Sequence, residues 1–248
     1  MSQTPHVLRQ ILEYVRGKTQ QGKKTLAVFD LDSTLFDVSP RLERILLDFA
    51  AIRWNQIRFP EQVALLKDIK TLHTDWGIQN ALVRAGLDRH HPEFQAAIHE
   101  YWHKNFFSNH YLQFDVPTEG ALEYVQALYQ AGAEIAYLTG RDVARMGEGS
   151  IEVLKQWGFP VEESRAELVL KPDKKMNDAL FKVDWFKAAS KKDYEKIYFF
   201  ENEPVNLVSM IEDKTAVEMV FLDTTHAGKA EPPQDIPSIM NFLCNLSE

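Results

Sequence analysis

The sequence predicts an α/β protein, a doubly wound parallel sheet with an all-helical unit inserted after its first strand, and three observations predict it. Leu26-Ala27-Val28-Phe29 is an apolar run of strand-forming residues that leads directly into Asp30-Leu31-Asp32-Ser33-Thr34. A run without polar alternation fits a strand covered on both faces. After Pro117, strand and helix signals alternate, the order that builds a parallel sheet with helices on both sides. Between these two regions, from Val38 to Phe114, the only periodicity is helical.

In chain order, Thr4-Pro5 ahead of Val7, Leu8, Ile11, Leu12 and Val15 predicts a helix with one apolar stripe, closed by Gly17. The strand from Leu26 follows. Four helical stripes then come in succession: Leu42 to Ile52, Val63 to Trp76, Ile78 to Val83, and Phe94 to Phe106. They form a unit over 38–114, so that 1–37 and 115–248 make the α/β core. Ala121 to Tyr129 predicts a helix ended by Gly132, Glu134 to Thr139 a strand, and Gly149 to Trp157 a helix stopped by Gly158. Leu168 to Leu170 is a short strand, Ala179 to Ser190 a helix, Lys196 to Phe200 a buried strand, and Pro204 to Ile211 a helix. Val217 to Leu222 predicts the last strand and Ile236 to Leu243 a closing helix.

Composition narrows the function. A chain of 248 residues with 45% hydrophobic residues has the material for a large core. Its net charge of -8 argues against a nucleic-acid or anionic-membrane surface, because phosphate backbones are bound by clustered Lys and Arg. Cys244 is the single cysteine, which excludes an internal disulfide and a cysteine-based zinc cluster. The first residues lack the basic start and apolar core of a signal peptide, and no apolar run reaches membrane-spanning length, so a cytoplasmic protein is expected.

In an open parallel sheet, ligands gather outside the carboxyl ends of the strands. Three strands end there in polar chemistry: Asp30-Leu31-Asp32, Thr139-Gly140-Arg141 and Glu201-Asn202-Glu203. These motifs, in this order, resemble those of the haloacid dehalogenase superfamily. The resemblance covers Leu26 to Phe36 and Asp115 to Asp223 and does not extend to the inserted helices. It implies a Rossmann-like core with a helical cap, and a magnesium-dependent phosphohydrolase acting on a small phosphorylated metabolite. Asp30 stands in the place of the nucleophile, a role open to a carboxylate because it is ionised without activation. Asp32 stands in the place of the acid for the leaving alcohol and the base for the attacking water. Family members that cleave carbon–halogen bonds lack an acid at this second position, so Asp32 favours phosphate chemistry. Thr139 and Gly140 would donate hydrogen bonds to the phosphoryl oxygens, and Arg141 would reach a substrate anion or pair with a local acid. A lysine is expected to neutralise charge between nucleophile and phosphate; Lys182 is preferred and Lys171 competes.

The third motif departs from the family, which usually carries aspartates there to hold magnesium. Glu201 would bind Mg2+ directly or through a water, together with the Asp30 carboxylate and the Asp32 main-chain carbonyl, with Asn206 behind it and Glu203 as its substitute. A phosphotransferase or phosphonate hydrolase on the same scaffold is the enzymatic rival, and a non-catalytic binding or regulatory protein is the rival from another class. A phosphonate hydrolase would need a poised cap lysine, for which Lys67, Lys70 and Lys104 are available without a telling context. Trp54, His73, His90, His91, Trp102, His103 and His110 of the insertion read mostly as packing or surface residues. The expected partner is a small phosphorylated substrate, with no nucleic acid and no membrane, on a monomer or homodimer.

Overall fold

The computed structural model describes residues 4–87 and 91–244 of the chain; His90 lies outside the described residues. The chain opens with α1 (Thr4–Gln20), β1 (Lys24–Phe29) and the short β2 (Phe36–Asp37). The insertion contributes α2 (Ser39–Ala51), α3 (Arg53–Arg58), α4 (Pro60–Leu66), α5 (Gln79–Arg84), α6 (Pro92–Phe106) and α7 (Asn109–Leu112). Then come β3 (Val116–Pro117), α8 (Ala121–Gln130), β4 (Glu134–Asp142), α9 (Val143–Trp157) and β5 (Ala166–Lys171). The chain continues through α10 (Asp178–Ala189), β6 (Tyr194–Glu201), α11 (Pro204–Glu212), β7 (Glu218–Leu222) and β8 (Ser238–Ile239).

The main sheet has the order β5-β4-β1-β6-β7-β8, with every pair parallel. β4 and β5 lie on one side of β1 and β6 to β8 on the other, so the winding reverses at β1 and opens a crevice at its carboxyl end. The period of two in β1 divides the core. Ala27 and Phe29 pack with Leu8, Leu12 and Val15 of α1 and Tyr124 and Leu128 of α8. Leu26 and Val28 pack with Val183 and Phe186 of α10 and Leu207 and Met210 of α11. Both faces of β1 are thereby buried, which is why its sequence shows no polar alternation.

β2 and β3 pair antiparallel, Phe36 opposite Pro117 and Asp37 opposite Val116, and so tie together the two connections to the insertion. The inserted helices bury their own apolar cluster, including Leu46, Phe49, Val63, Leu66, Phe94 and Ile98. They also touch the sheet-bearing part of the chain where α7 meets α9. Gly149 N donates to Asn109 Oδ1 at 2.9 Å, and a Cβ at Gly149 would lie 2.6 Å from Asn109 O. The close approach requires glycine at that point of α9.

The observed elements differ from the sequence reading in several places. α1 runs through Gly17, because one glycine costs a helix only about 1 kcal/mol and packing outweighs it. α9 starts at Val143 rather than Gly149, since Asp142 Oδ1 accepts the Arg145 N–H and caps the first turn. The stripe from Val63 to Trp76 is helical only to Leu66, and α3 and α7 are additional short helices. The expected closing helix is β8 and extended chain. The edge of β7 has N–H groups to satisfy, and Phe221 and Asp223 donate to Pro237 O and Ile239 O at 2.9 and 2.8 Å. Among the described residues, no helix is long and apolar enough to cross a membrane.

Candidate active site

β1 ends in a tight turn that determines where its acids stand. Asp30 N still donates to Phe200 O of β6 at 3.0 Å, after which Leu35 N returns to Asp30 O and Phe36 N to Leu31 O. Ser33 sits at φ 61°, the left-handed conformation that such a reversal needs. Asp30 and Asp32 are thus held at the carboxyl edge of the sheet, where Thr139 and Glu201 arrive on β4 and β6.

Lys182, from the second turn of α10, donates to Asp30 Oδ1 and to Glu201 Oε2, each at 2.6 Å. All three residues are buried, and Glu201 is wholly enclosed. Burial pushes the Asp30 carboxyl up to about 8, since Lys182 pulls it down by less and Glu201 repels its charge. Burial alone would lower the Lys182 ammonium, but the two carboxylates outweigh it and raise its pKa. One ammonium shared between two acids leaves the group short of positive charge.

Asp32 is held differently. Its Oδ1 accepts from Arg41 Nη2 at 2.5 Å and from Arg141 Nη2 at 2.6 Å. Both guanidiniums are buried and both also bind Asp115, Arg41 through Nε at 2.7 Å and Arg141 through Nη2 at 2.8 Å. Burial would raise the Asp32 carboxyl, but Arg141 and Arg41 overcome it and hold the group well below the usual carboxylate range. Asp32 in this state is ionised, and the paired guanidiniums oppose the proton that either half of the acid–base role expected from the sequence would place on it.

Thr139 is buried, and its Oγ1 accepts the Arg141 N–H at 3.3 Å. Gly140 adjoins the first residue of α10: a Cβ there would lie 2.6 Å from Asp178 Oδ2. Arg141 is part of the ion-pair network with Asp32 and Asp115, the local alternative allowed by the sequence. Lys171 is not brought to the site; its ammonium is held by Asp178 and by Met176 O. The geometry therefore gives the expected contact to Asp30 to Lys182.

These groups line a cavity of about 340 Å³ between the strand ends and the inserted helices. Asp30, Thr139, Gly140, Lys182 and Asn202 come from the sheet side, and Trp76, Trp102, His103, Phe106 and Phe107 from the insertion. Sequence reasoning set Trp102 and His103 aside as packing or surface residues and did not single out Arg41, Asp115 or Asn202. The signal for Asn202 lay next to Glu201 in the motif itself. Arg41 and Asp115 are 74 positions apart and gave no local signal.

The acids expected to hold magnesium are engaged by protein N–H donors in this structure. Glu201 Oε1 accepts the Glu203 N–H at 3.0 Å, and Oε2 accepts from Lys182 and from Asn206 Nδ2 at 2.9 Å, so N–H donors occupy both oxygens. The Glu203 carboxylate turns instead to the Ala227 N–H. Asn206 directs its amide N–H, not its oxygen, at Glu201. Among the described residues, no three His, Cys, Asp or Glu side chains converge as a metal-binding group. Among the described residues, the Asp30 carboxylate, bonded by Lys182 at Oδ1, and the Asn202 side-chain oxygen, which accepts from Thr34 Oγ1 at 3.0 Å, are oxygen donors on the cavity wall that suit a hydrated magnesium.

No family model matches the sequence, and no curated protein matches it. Solved structures do. A candidate phosphatase from Clostridium difficile matches with a TM-score of 0.50 at 12% identity, over 81% of this chain and 86% of that one. A haloacid dehalogenase-superfamily hydrolase from Ehrlichia chaffeensis matches with a TM-score of 0.47 at 14% identity, over 89% and 93%. The defluorinating L-2-haloacid dehalogenase Rha0230 matches with 0.46 at 13%, over 88% and 92%. At these identities the likeness concerns architecture alone: the parallel sheet with helices on both faces is the α/β fold that the chain shares with the Clostridium difficile structure.

Proposed function

We propose that the chain is a phosphohydrolase that takes the phosphoryl group of a small phosphorylated metabolite onto Asp30 and passes it to water. The observation that carries this reading is Asp30 itself: a carboxylate at the winding reversal of the sheet, on the wall of a cavity, paired at 2.6 Å with the buried ammonium of Lys182. Attack by Asp30 forms an Asp30–phosphorus bond as the bond from phosphorus to the leaving oxygen breaks, and the leaving oxygen takes up a proton from solvent. Water then attacks phosphorus and frees the carboxylate, with ionised Asp32 placed to accept the proton of that water against the opposition of its two guanidiniums. Lys182 offsets the charge that accumulates around Asp30, and Thr139 and Gly140 stand beside the phosphoryl position. Magnesium would be held by Asp30, the Asp32 carbonyl and Asn202, where it would neutralise phosphoryl charge. The phosphonate alternative loses support, since Lys67, Lys70 and Lys104 do not line the cavity and Lys70 is paired with Glu43 at 2.9 Å.

Phosphate release from 4-nitrophenyl phosphate, measured with and without added magnesium, tests the reading. Lys182→Ala is expected to lower kcat/KM by about 100-fold or more, whereas Lys171→Ala should stay within about threefold of the unaltered protein. Comparable losses in the two variants would return Lys171 to the site. Halide release from a 2-haloacid with no phosphate release from any phosphomonoester would contradict the phosphohydrolase reading.

A further inference from the structure

The wall of the cavity opposite Asp30 is aromatic, and much of it is not spent on packing. Trp76, His103 and Phe107 belong to none of the apolar clusters of the fold, although all three line the cavity. Trp76 is 54% exposed and, unlike the exposed Trp54, lines the cavity, where a bound ring would cover it. On the last turn of α6 and just beyond it the rings form a continuous series, with Trp102 5.8 Å from Phe106 and Phe106 5.0 Å from Phe107 between centroids. Guanidiniums back two of them, Arg41 at 4.3 Å from the Phe106 centroid and Arg145 at 4.9 Å from that of Phe107. Aromatic residues at helical spacing usually fill a core. Here the core of the insertion is complete around Phe49, Phe94 and Ile98, and Trp76 reaches the same cavity from a loop rather than from the helix. A volume of about 340 Å³ suits a phosphate and one ring system.

Resting on the phosphohydrolase reading above, we infer that the leaving alcohol of the substrate carries a flat aromatic or heteroaromatic ring, held against Trp76, Phe106 and Phe107. Offset or edge-on contact with such rings favours a flat group over a saturated one of equal size. Carboxylate, sulfate or sugar recognition would call for several polar groups, and the insertion presents few on this wall: His103, the Trp102 indole N–H, buried without a hydrogen-bond partner among the described residues, and Asp75, already bound by Arg84 at 2.7 Å.

The test compares 2-phenylethyl phosphate with 2-cyclohexylethyl phosphate, whose leaving alcohols have the same carbon count and closely similar basicity. The phenyl compound is expected to have a kcat/KM about tenfold higher, and Trp76→Ala or Phe107→Leu should reduce that ratio to about threefold or less. Trp76 is exposed, so its variant should keep the melting temperature of the unaltered protein; Phe107→Leu gives the same reading should Trp76→Ala fold poorly. Adenosine 5′-monophosphate against ribose 5-phosphate separates two sources of the ring. A preference within that pair places the ring beyond a sugar, and its absence, with the phenyl preference kept, places the ring next to the phosphate. Hydrolysis of both test compounds at equal kcat/KM overturns the ring inference alone. Hydrolysis of neither, nor of 4-nitrophenyl phosphate, overturns the underlying phosphohydrolase reading.

Discussion

Replacing Asp30 with asparagine is expected to abolish turnover and, at the same time, to raise the melting temperature. Loss of the attacking carboxylate should cost at least about a thousandfold in kcat. The gain in stability follows from the crowding of Asp30 and Glu201 around the single ammonium of Lys182. Asp30 titrates near 8 in the folded protein, so between the ordinary carboxylate range and pH 8 the folded state binds more protons than the unfolded one. Stability from this group therefore falls as pH rises through that window and is level above it. Asparagine removes the penalty and leaves Lys182 and Glu201 as a balanced pair. The difference in melting temperature, variant minus unaltered protein, should be near zero below pH 4 and grow to its full value above pH 8. A gain of about 1–3 kcal/mol, at about 2–4 °C per kcal/mol for a chain of this size, is measurable by differential scanning fluorimetry across a pH series. A variant less stable at pH 8 would show that Asp30 is a net stabilising partner of Lys182 and that the site is not strained toward reaction.

Arg41→Ala should be among the most destabilising single changes in the chain. Arg41 leaves α2 in the insertion, is fully buried, and joins Asp32 after β1 to Asp115 before β3. Its removal leaves two carboxylates, Asp32 and Asp115, on one guanidinium, Arg141, with Asp115 wholly enclosed. Breaking a buried ion pair on one side typically costs about 3–5 kcal/mol, which corresponds to a fall of roughly 10 °C in melting temperature. Activity should fall as well, because Asp32 loses half of its restraint. Arg41→Lys would not restore it: an ammonium cannot repeat the forked contacts to Asp32, Asp115 and Phe106 O. A variant with native melting temperature would mean that the network is incidental to the junction between the inserted helices and the sheet.

The parts of this protein that a short window of sequence can carry were legible in it. The unbroken apolar run Leu26 to Phe29 announced a strand buried on both faces, and the order of Asp30, Thr139, Lys182 and Glu201 announced a site at one edge of a parallel sheet. The failures share a cause. Arg41, on a polar-looking position of an amphipathic helix, and Asp115, in a linker, have their meaning only in each other and in Asp32, and no local pattern distinguishes a buried charge with a distant partner from a solvated one. That both Glu201 oxygens accept N–H groups depends on how α10 and α11 pack, which the sequence does not show locally. Trp76 read as the end of a helical stripe until the core of the insertion is seen to close without it, and Phe107 lay just beyond the stripe that ends at Phe106. β8 was missed because the demand for it comes from the unpaired edge of β7 rather than from its own residues.

The measurement that bears most directly on the central claim is chemical trapping at position 30. An acyl phosphate is reduced by borohydride to an alcohol, which converts the aspartate that carried it into homoserine. The protein would be quenched with borohydride during turnover of an aryl phosphate, digested, and the peptide containing Leu26 to Phe36 read by mass spectrometry. The account predicts homoserine at Asp30, only when substrate is present and never in the Asp30→Asn protein. Unmodified Asp30 during sustained turnover, or homoserine at Asp32 instead, would contradict it.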